Sequence, residues 1–254
     1  MLTAAPVPVT IVIPTLNEAR QIADCVRRVA WAGEVIVADG GSSDSTGELA
    51  AAAGATVVRD SWETIAAQRN AAIAAARHEW VFALDADERV GPELAREIAA
   101  TVAAPAHAAY AVRRENIYLG RAMRHGGWGD DWVVRLFRRD RRYVNRRVHE
   151  HLERGRDVGR LRATLVHEPY RSLGHHVEKV MRYADWAAAD MAERGRQARL
   201  ADLLLRPPAK FVRMYLLQLG LLDGWHGAAL AGLAAVSVFL KYARLWEREK
   251  RPHV

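Results

Sequence analysis

One cysteine, Cys25, stands among 254 residues, so no disulfide framework holds the chain together. It shares a helical apolar pattern with Ile22, Val26 and Val29, the setting of a small buried hydrophobe in a reducing compartment. Lysine is scarce as well: Lys179, Lys210, Lys241 and Lys250 are the only ones among 37 basic residues, so arginine carries the net charge of +7. That surplus suits nucleic acid, acidic membrane lipid or a phosphorylated substrate, although many arginines need no partner beyond solvent. Aromatics make up only 7% and do not interleave with the arginines in an RNA-binding pattern, which argues against nucleic acid. The sequence lacks both a G-x-x-x-x-G-K-[ST] loop and a G-x-G-x-x-G turn, so ATP hydrolysis and NAD chemistry lose ground. The opening MLTAAPVPVTIVIPT shows no basic leader ahead of a cleavage site, and secretion is not expected.

What is present is ordinary globular material, 50% hydrophobic and 26% charged, which excludes disorder, a collagen-like fibre and a coiled coil. Residues 9–14 (VTIVIP) form an apolar, β-branched run. A helix follows, with Asn17 as its expected N-cap. Residues 35–38 repeat the strand signal. The turn Asp39-Gly40-Gly41-Ser42-Ser43-Asp44 then leads to a helix with an expected Ser45 to Glu48 capping box and Gly54 as its stop. Residues 56–59 and 80–84 give two more strands around an alanine-rich helix at about 64–77, and Gly91-Pro92 opens another helix. Strands separated by helices predict an α/β, doubly wound, mostly parallel sheet with its ligands beyond the carboxyl ends of the strands.

From residue 110 to about 168 the runs shorten and alternate, predicting an antiparallel extension on the acceptor side. After Leu173, a stripe of Leu173, Val177, Val180, Met181, Ala184 and Met191 predicts a helix ending near Gly195. The expected organisation is therefore a catalytic domain over 1–170, divided at about 104–105, followed by a helical region over 171–254.

Asp85-Ala86-Asp87 follows an apolar strand. Read as strand positions two apart, Asp85 and Asp87 would share one side and offer two carboxylates to Mg2+ or Mn2+. Opposite them, Gly40 and Gly41 let backbone approach a ligand closely, and Asp39 can accept hydrogen bonds from a base or ribose. The strings VTIVIPTLNEA, EVIVADGGSSDST, AAQRNAA and FALDADE, in this order and spacing, resemble the nucleotide-sugar half of family-two glycosyltransferases with the GT-A fold. The resemblance covers about the first hundred residues. It implies a nucleotide-diphosphate sugar donor, with Pro14, Asn17, Glu18 and Asp39 around base and ribose, Arg69 near the phosphates, and Asp85 and Asp87 at the metal. RRENIYLG, GGWGDDWVVRLFRR, RRVHEHLE and the closing YLLQLGLLDGWHG are similar to the branch containing bacterial lipopolysaccharide-core glycosyltransferases, including β-1,4-glucosyltransferases.

Inverting transfer needs a carboxylate base, stabilisation of the departing diphosphate and exclusion of water. Asp131, beside Asp130 in a glycine-rich turn, is one candidate base and Glu150 is the other. The resemblance implies an acid-acid motif here, and Asp130-Asp131 departs from its usual Glu-Asp. His149 and His167 each follow a valine and precede a glutamate; either can complete a metal's coordination or serve as a structural histidine. His175 and His176 are weaker candidates, and Arg135, Arg138, Arg146 and Arg147 are candidate forks for a phosphorylated acceptor.

Arg206-Pro207-Pro208 is expected to break the chain before a basic amphipathic helix over 210–222. Residues 228–243 are more apolar, but they fall short of the roughly 20 residues of a membrane span, and Lys241 interrupts them. The expectation is interfacial attachment to an anionic membrane, with packing as core helices the alternative. Together these features predict a metal-dependent inverting hexosyltransferase at the inner face of the cytoplasmic membrane. It would move glucose from UDP-glucose to a lipopolysaccharide or lipooligosaccharide core acceptor. The alternatives are a polyprenyl-phosphate glycosyltransferase, whose anionic acceptor needs no base, and a non-catalytic nucleotide-sugar-binding scaffold.

Overall fold

The run at residues 9–14 is apolar except at Thr10, because the strand it forms is covered on both faces. In the computed structural model, which describes residues 5–144, 152 and 157–250, this strand is β1 (Val7–Thr15). The chain divides into two compact units, one made of Met1–Arg114 with Trp132–His167, the other of Glu115–Asp131 with Glu168–Val254.

In the first unit β1 pairs in parallel with β2 (Ala32–Asp39) and β4 (Trp80–Ala83), and β2 with β3 (Thr56–Arg59). The sheet continues through β5 (Glu88–Val90), β6 (Ala109–Tyr118), β8 (Asp131–Arg138) and β9 (Val158–Tyr170) in the order β3-β2-β1-β4-β8-β6-β9-β5. β8 runs antiparallel to β4 and β9 antiparallel to β5, while β7 (Arg121–Ala122) pairs with the end of β6. This is the expected α/β architecture, a parallel half followed by an antiparallel extension.

Neighbouring residues on each parallel strand enter different cores, as a period of two requires. Val9, Ile11, Ile13, Val35, Val37 and Phe82 pack with Ile22, Cys25 and Val26 of α1 (Ile22–Arg28) and with Leu94 and Ile98 of α4 (Pro92–Ala103). Val12, Ile36, Ala38, Val81 and Ala83 pack instead on Ala66, Ala72 and Ile73 of α3 (Ile65–Ala75). Thr64 caps α3 by accepting from Ala67 N at 3.1 Å, and Pro92 occupies the first turn of α4, where its missing N–H costs nothing. α2 (Thr46–Ala52) is followed by Gly54 at φ 102°, the expected glycine stop. Two helix starts differ from expectation. α1 begins after Gln21, well beyond Asn17, and Ser45 makes no side-chain capping bond; Asp44 accepts from Thr46 N at 3.1 Å in its place.

In the second unit α5 (Leu173–Glu193) and α6 (Leu200–Val212) pack along α7 (Gly224–Lys250). The buried seam of α5 is His176, Val180, Ala184 and Ala188, a strict four-residue repeat. Leu173, Val177 and Met181 of the expected stripe are exposed. Small residues set the seam, because alanine lets α7 approach closely. Pro207 and Pro208 lie inside α6 and do not break it. Proline's fixed φ is compatible with a helix, and packing along α7 tolerates the lost backbone bonds. The segment Gly220–Lys250 is long and apolar enough to cross a membrane by length and composition, longer than the expected stretch of 228–243.

At the amino-terminal ends of the parallel strands, Glu34 accepts from Thr10 Oγ1 (2.7 Å), Arg77 N (2.8 Å) and Arg77 Nε (2.7 Å). Burial alone would raise this carboxyl, but these donors hold it below its ordinary value. Its stabilising contribution is therefore present above the unfolded carboxyl's pKa and is lost as pH falls through the depressed folded value. Glu34→Gln is expected to lose about 1–3 kcal/mol at neutral pH. Urea denaturation at neutral and acidic pH should show the gap to wild type narrowing with acid.

Candidate active site

Thr15, Asp39 and Arg59 stand in register at the carboxyl ends of β1, β2 and β3. Behind them Gln68 Nε2 donates to Thr15 O (2.8 Å) and Ala38 O (2.6 Å), fixing the two strand ends to α3. Gly40 sits against this amide: a Cβ there would lie 3.3 Å from Gln68 Nε2, and Gly41 turns the chain at φ 87°. Pro14 pairs opposite Ala38 just inside the end of β1.

Asp39 is fully buried. Its Oδ1 accepts from Ser42 N (2.9 Å) and Ser42 Oγ (2.5 Å), whereas among the described residues its Oδ2 has no hydrogen-bond partner. Arg59 Nε stands 3.6 Å from that oxygen, and Arg59 also donates to Ser42 O. The acceptor expected to read a base or ribose is therefore present and uncommitted to a hydrogen bond.

Asn17 adopts the left-handed conformation (φ 58°), which asparagine tolerates better than most residues. Its Oδ1 accepts from Ser43 N at 2.9 Å, and its own N–H donates to Ser42 Oγ at 2.9 Å. Glu18 N donates to Thr46 Oγ1 (2.8 Å), and the Glu18 carboxylate accepts from Gln21 Nε2 (2.7 Å). Asn17 and Glu18 thus tie the β1–α1 loop to the glycine loop after β2 and shape the cradle through these bonds.

The acidic triplet is built differently from the strand-end expectation. β4 stops at Ala83, and Asp85 and Asp87 occupy a turn closed by Glu88 N to Asp85 O at 2.9 Å, so strand alternation does not set their directions. Asp85 pairs with Arg69 through one oxygen and with Arg135 Nη2 (2.5 Å) through the other. Arg135 also meets Glu88 at 2.5 Å, and Arg114 stands 3.6 Å from Glu88. Burial would raise Asp85, but Arg135 and Arg69 hold it far below the usual carboxylate range. Glu88 moves the other way: burial, reinforced by the Asp85 charge, raises it above the ordinary carboxylate range against the pull of Arg135. Arg69 also stacks over the Tyr143 ring at 4.9 Å, so its guanidinium is engaged with Asp85 and Tyr143. Arg135 is buried in this cluster and Arg138 lies over Trp80 at 4.2 Å, which removes both as exposed forks for an acceptor phosphate. Arg146, Arg147, His149 and Glu150 lie outside the described residues.

Asp87 faces His167, with Oδ1 and Nε2 3.7 Å apart. Burial pulls His167 down to about 4, so the ring is neutral at physiological pH, the form that ligates a metal. Neighbouring donors around one octahedral ion are about 3 Å apart, so at 3.7 Å this pair stands wider than two positions of such a shell and would have to close on an ion. Asp85, enclosed by two arginines, does not fit such a shell. Among the described residues no group of three metal-binding side chains occurs. Cys25 lies under the turn, its thiol 3.8 Å from Asp85 O and Glu88 O; burial pushes it up to about 12, in keeping with a packing role.

In the second unit Asp131 is half-buried at the start of β8, and Asn116 Nδ2 donates to its Oδ2 at 3.0 Å. The same amide donates to Trp128 O at 2.9 Å, which fixes the glycine turn ahead of it; Asp130 is exposed. His176 shares a 3.0 Å hydrogen bond with Tyr118 and stacks on Tyr170, while the His175 ring accepts from Arg171 N through Nδ1 at 3.3 Å. Sequence reasoning missed Gln68, Glu88, Arg114 and Asn116, whose partners lie far along the chain or across strands.

Residues 10–156, more than half of the chain, match the family described as glycosyl transferase family 2. The chain belongs to that family, with its GT-A fold. It is 27% identical to the lipopolysaccharide core biosynthesis glycosyltransferase LpsC of Rhizobium meliloti over 97% of this chain and 96% of that protein. It is also 25% identical to an uncharacterized glycosyltransferase of Rickettsia typhi over 92% and 85%. Among solved structures it is similar to glucosyl-3-phosphoglycerate synthase from Mycobacterium tuberculosis in complex with Mn2+, UDP and glucosyl-3-phosphoglycerate. There the identity is 22% and the TM-score 0.38, over 43% of this chain and 44% of that one, so the chain spans less than half of that structure.

Arg135 is shared by Asp85 and Glu88, and its loss leaves Asp85 to Arg69 alone and Glu88 with only Arg114, at 3.6 Å, among the three arginines. Arg135→Met is expected to cost about 3–5 kcal/mol in chemical denaturation. The double variant Arg135→Met, Glu88→Met should recover a large part of it, because the buried acid that depends most on Arg135 goes too.

Proposed function

We propose that the chain transfers a hexose, with inversion, from a UDP-sugar to a saccharide of the lipopolysaccharide or lipooligosaccharide core, glucose from UDP-glucose being the leading donor. The observation that carries this reading is the uncommitted Asp39 Oδ2 beside the Gly40-Gly41 turn at the strand ends. A buried acceptor without a donor is costly, and the N–H of a base or the O–H of a ribose would satisfy it. The near full-length likeness to a protein named for lipopolysaccharide core biosynthesis supports the acceptor class.

Asp87 and His167 would hold Mg2+ or Mn2+, which supplies charge stabilisation for the departing diphosphate. The protein's own residues do the rest. Asn17, Ser42 and Ser43 hold the cradle, and Asp39 orients the nucleoside. Asp131, with its carboxylate aimed by Asn116, takes the proton of the acceptor hydroxyl as the oxygen attacks the sugar carbon. Glu150 is the rival base. Inversion follows from one displacement, in which the bond to the acceptor oxygen forms as the bond to the diphosphate oxygen breaks. The exposed leucines and arginines of the helical unit support a peripheral position on the inner face of the cytoplasmic membrane, where a lipid-borne acceptor would be available.

The test compares Asp131→Asn and Glu150→Gln for transfer to core-saccharide acceptors and for donor binding by calorimetry. Asp131→Asn is expected to lower kcat by about 10²–10⁴-fold with donor affinity intact, and Glu150→Gln to leave kcat near wild type. The reverse pattern reassigns the base. Wild-type protein that binds no UDP-sugar overturns the donor.

Asp87→Ala is expected to abolish the dependence of donor hydrolysis on Mn2+. Hydrolysis that keeps its full metal dependence in this variant would remove Asp87 from the metal.

A further inference from the structure

Between α6 and α7 the chain turns back through an irregular connector. Arg213–Leu217 is a π-helical turn, Leu219 is left-handed (φ 58°), Gly220–Asp223 is a 3-10 turn and Gly224 again has positive φ (61°). A leucine is disfavoured in the left-handed region by its own Cβ, and Leu219 gains no core position in return, because it is exposed. So are Leu216, Leu217, Leu221, Leu222 and Trp225, with Leu217 75% and Trp225 88% exposed.

The inward side of the connector is closed. Met214 packs with Tyr118, Met123 and Leu230. A Cβ on Gly220 would come 2.7 Å from Met214 O, and one on Gly227 would come 1.9 Å from Gly220 O. Backbone meets backbone on this inward side at Gly220 and Gly227, and the leucines stand on the outer one, so the apolar tip is a built feature of the second unit. Lys210 and Arg213 stand at its entry, and Arg121 and Arg124 are exposed on the neighbouring hairpin. The connector's acid, Asp223, is buried and accepts from Arg124 N (3.2 Å) and His125 N (2.8 Å). Apolar side chains ringed by cations complement an anionic headgroup layer over hydrocarbon.

The connector also grips the turn that leads to Asp131. Gly126 N donates to Gln218 O at 2.8 Å, and a Cβ on Gly127 would meet the Gln218 side chain at 2.9 Å. We infer that residues 216–225 form a wedge that inserts into an anionic lipid surface and, through Gln218 and Asp223, holds the turn before Asp131 at that surface. This rests on the membrane-surface reading above and locates it in the connector, leaving the face of α6 outside the bilayer.

The experiment uses the full chain bearing Leu217→Cys, labelled with an environment-sensitive dye, and the same label at Leu204→Cys on α6 as comparison; Cys25 is buried and stays unlabelled. Each protein is mixed with vesicles of neutral phospholipid or of neutral and anionic phospholipid. The expected result is cosedimentation with the anionic vesicles and a blue shift at position 217 but not at 204. Trp225→Ser should lower the partition coefficient about tenfold while UDP-sugar hydrolysis persists. Cosedimentation without a shift at 217 overturns the wedge and leaves the membrane-surface reading standing. Absence of binding to either vesicle overturns both. A shift that needs no vesicles and accompanies a dimeric mass in light scattering assigns the tip to a second copy and overturns the lipid assignment.

Discussion

Two carboxylates three residues apart, Asp85 and Glu88, are drawn into the interior of the first unit at the end of a central strand, and the structure around them follows from meeting their charge. Three arginines converge from separate elements: Arg69 on α3, Arg114 on β6 and Arg135 on β8. Each is anchored elsewhere by its strand or helix, so the cluster binds the parallel and antiparallel halves of the sheet through one network of opposite charges. In a medium of low polarity such a network rewards good geometry and penalises every missing member. The turn holding Asp87 is thereby fixed from below, with Cys25 filling the space beneath it. The position of Asp87 next to His167 is thus a consequence of where Asp85 and Glu88 are neutralised.

Much of this was legible in the sequence wherever a local period governed the outcome. β1 is buried on both faces, and its apolar run, interrupted only by Thr10, says so; Gly54 and Gly91-Pro92 mark helix ends through their own backbone preferences. The glycines after Asp39 and the order of the four strings placed the candidate donor site at the strand ends. Legibility failed where a residue's partner is remote. Arg135 has the local appearance of a solvated basic strand and gives no hint that Glu88, 47 positions earlier, awaits it. Asn17 looks like a helix cap because capping and loop-pinning draw on the same side-chain oxygen, and only the φ of 58° separates the two uses. In α5 two alanines, weak in any hydrophobicity pattern, share the buried seam with His176 and Val180, while Leu173, Val177 and Met181 stay outside. Two adjacent prolines read as a break because the rule concerns an isolated helix, whereas α6 lies along α7.

The second unit shows the same economy of backbone against side chain. Asn116 spends both hydrogens of one amide, one on the Trp128 carbonyl and one on Asp131, so a single buried residue sets the turn and aims the acid. Membership of glycosyl transferase family 2 accounts for the strand-end cradle, and the helices add what the cradle lacks, an apolar surface with basic borders.

The unsatisfied oxygen of Asp39 has a consequence for the protein without its ligand. A chain selected only for persistence would fill that position with a donor or replace the acid by an apolar residue. Retaining it costs the native state some stability. Under the proposed reading a nucleotide would recover that cost on binding, so part of its affinity would be held in advance in the native state. On that reading, a lineage that hardened this loop would gain shelf life and lose grip on its nucleotide.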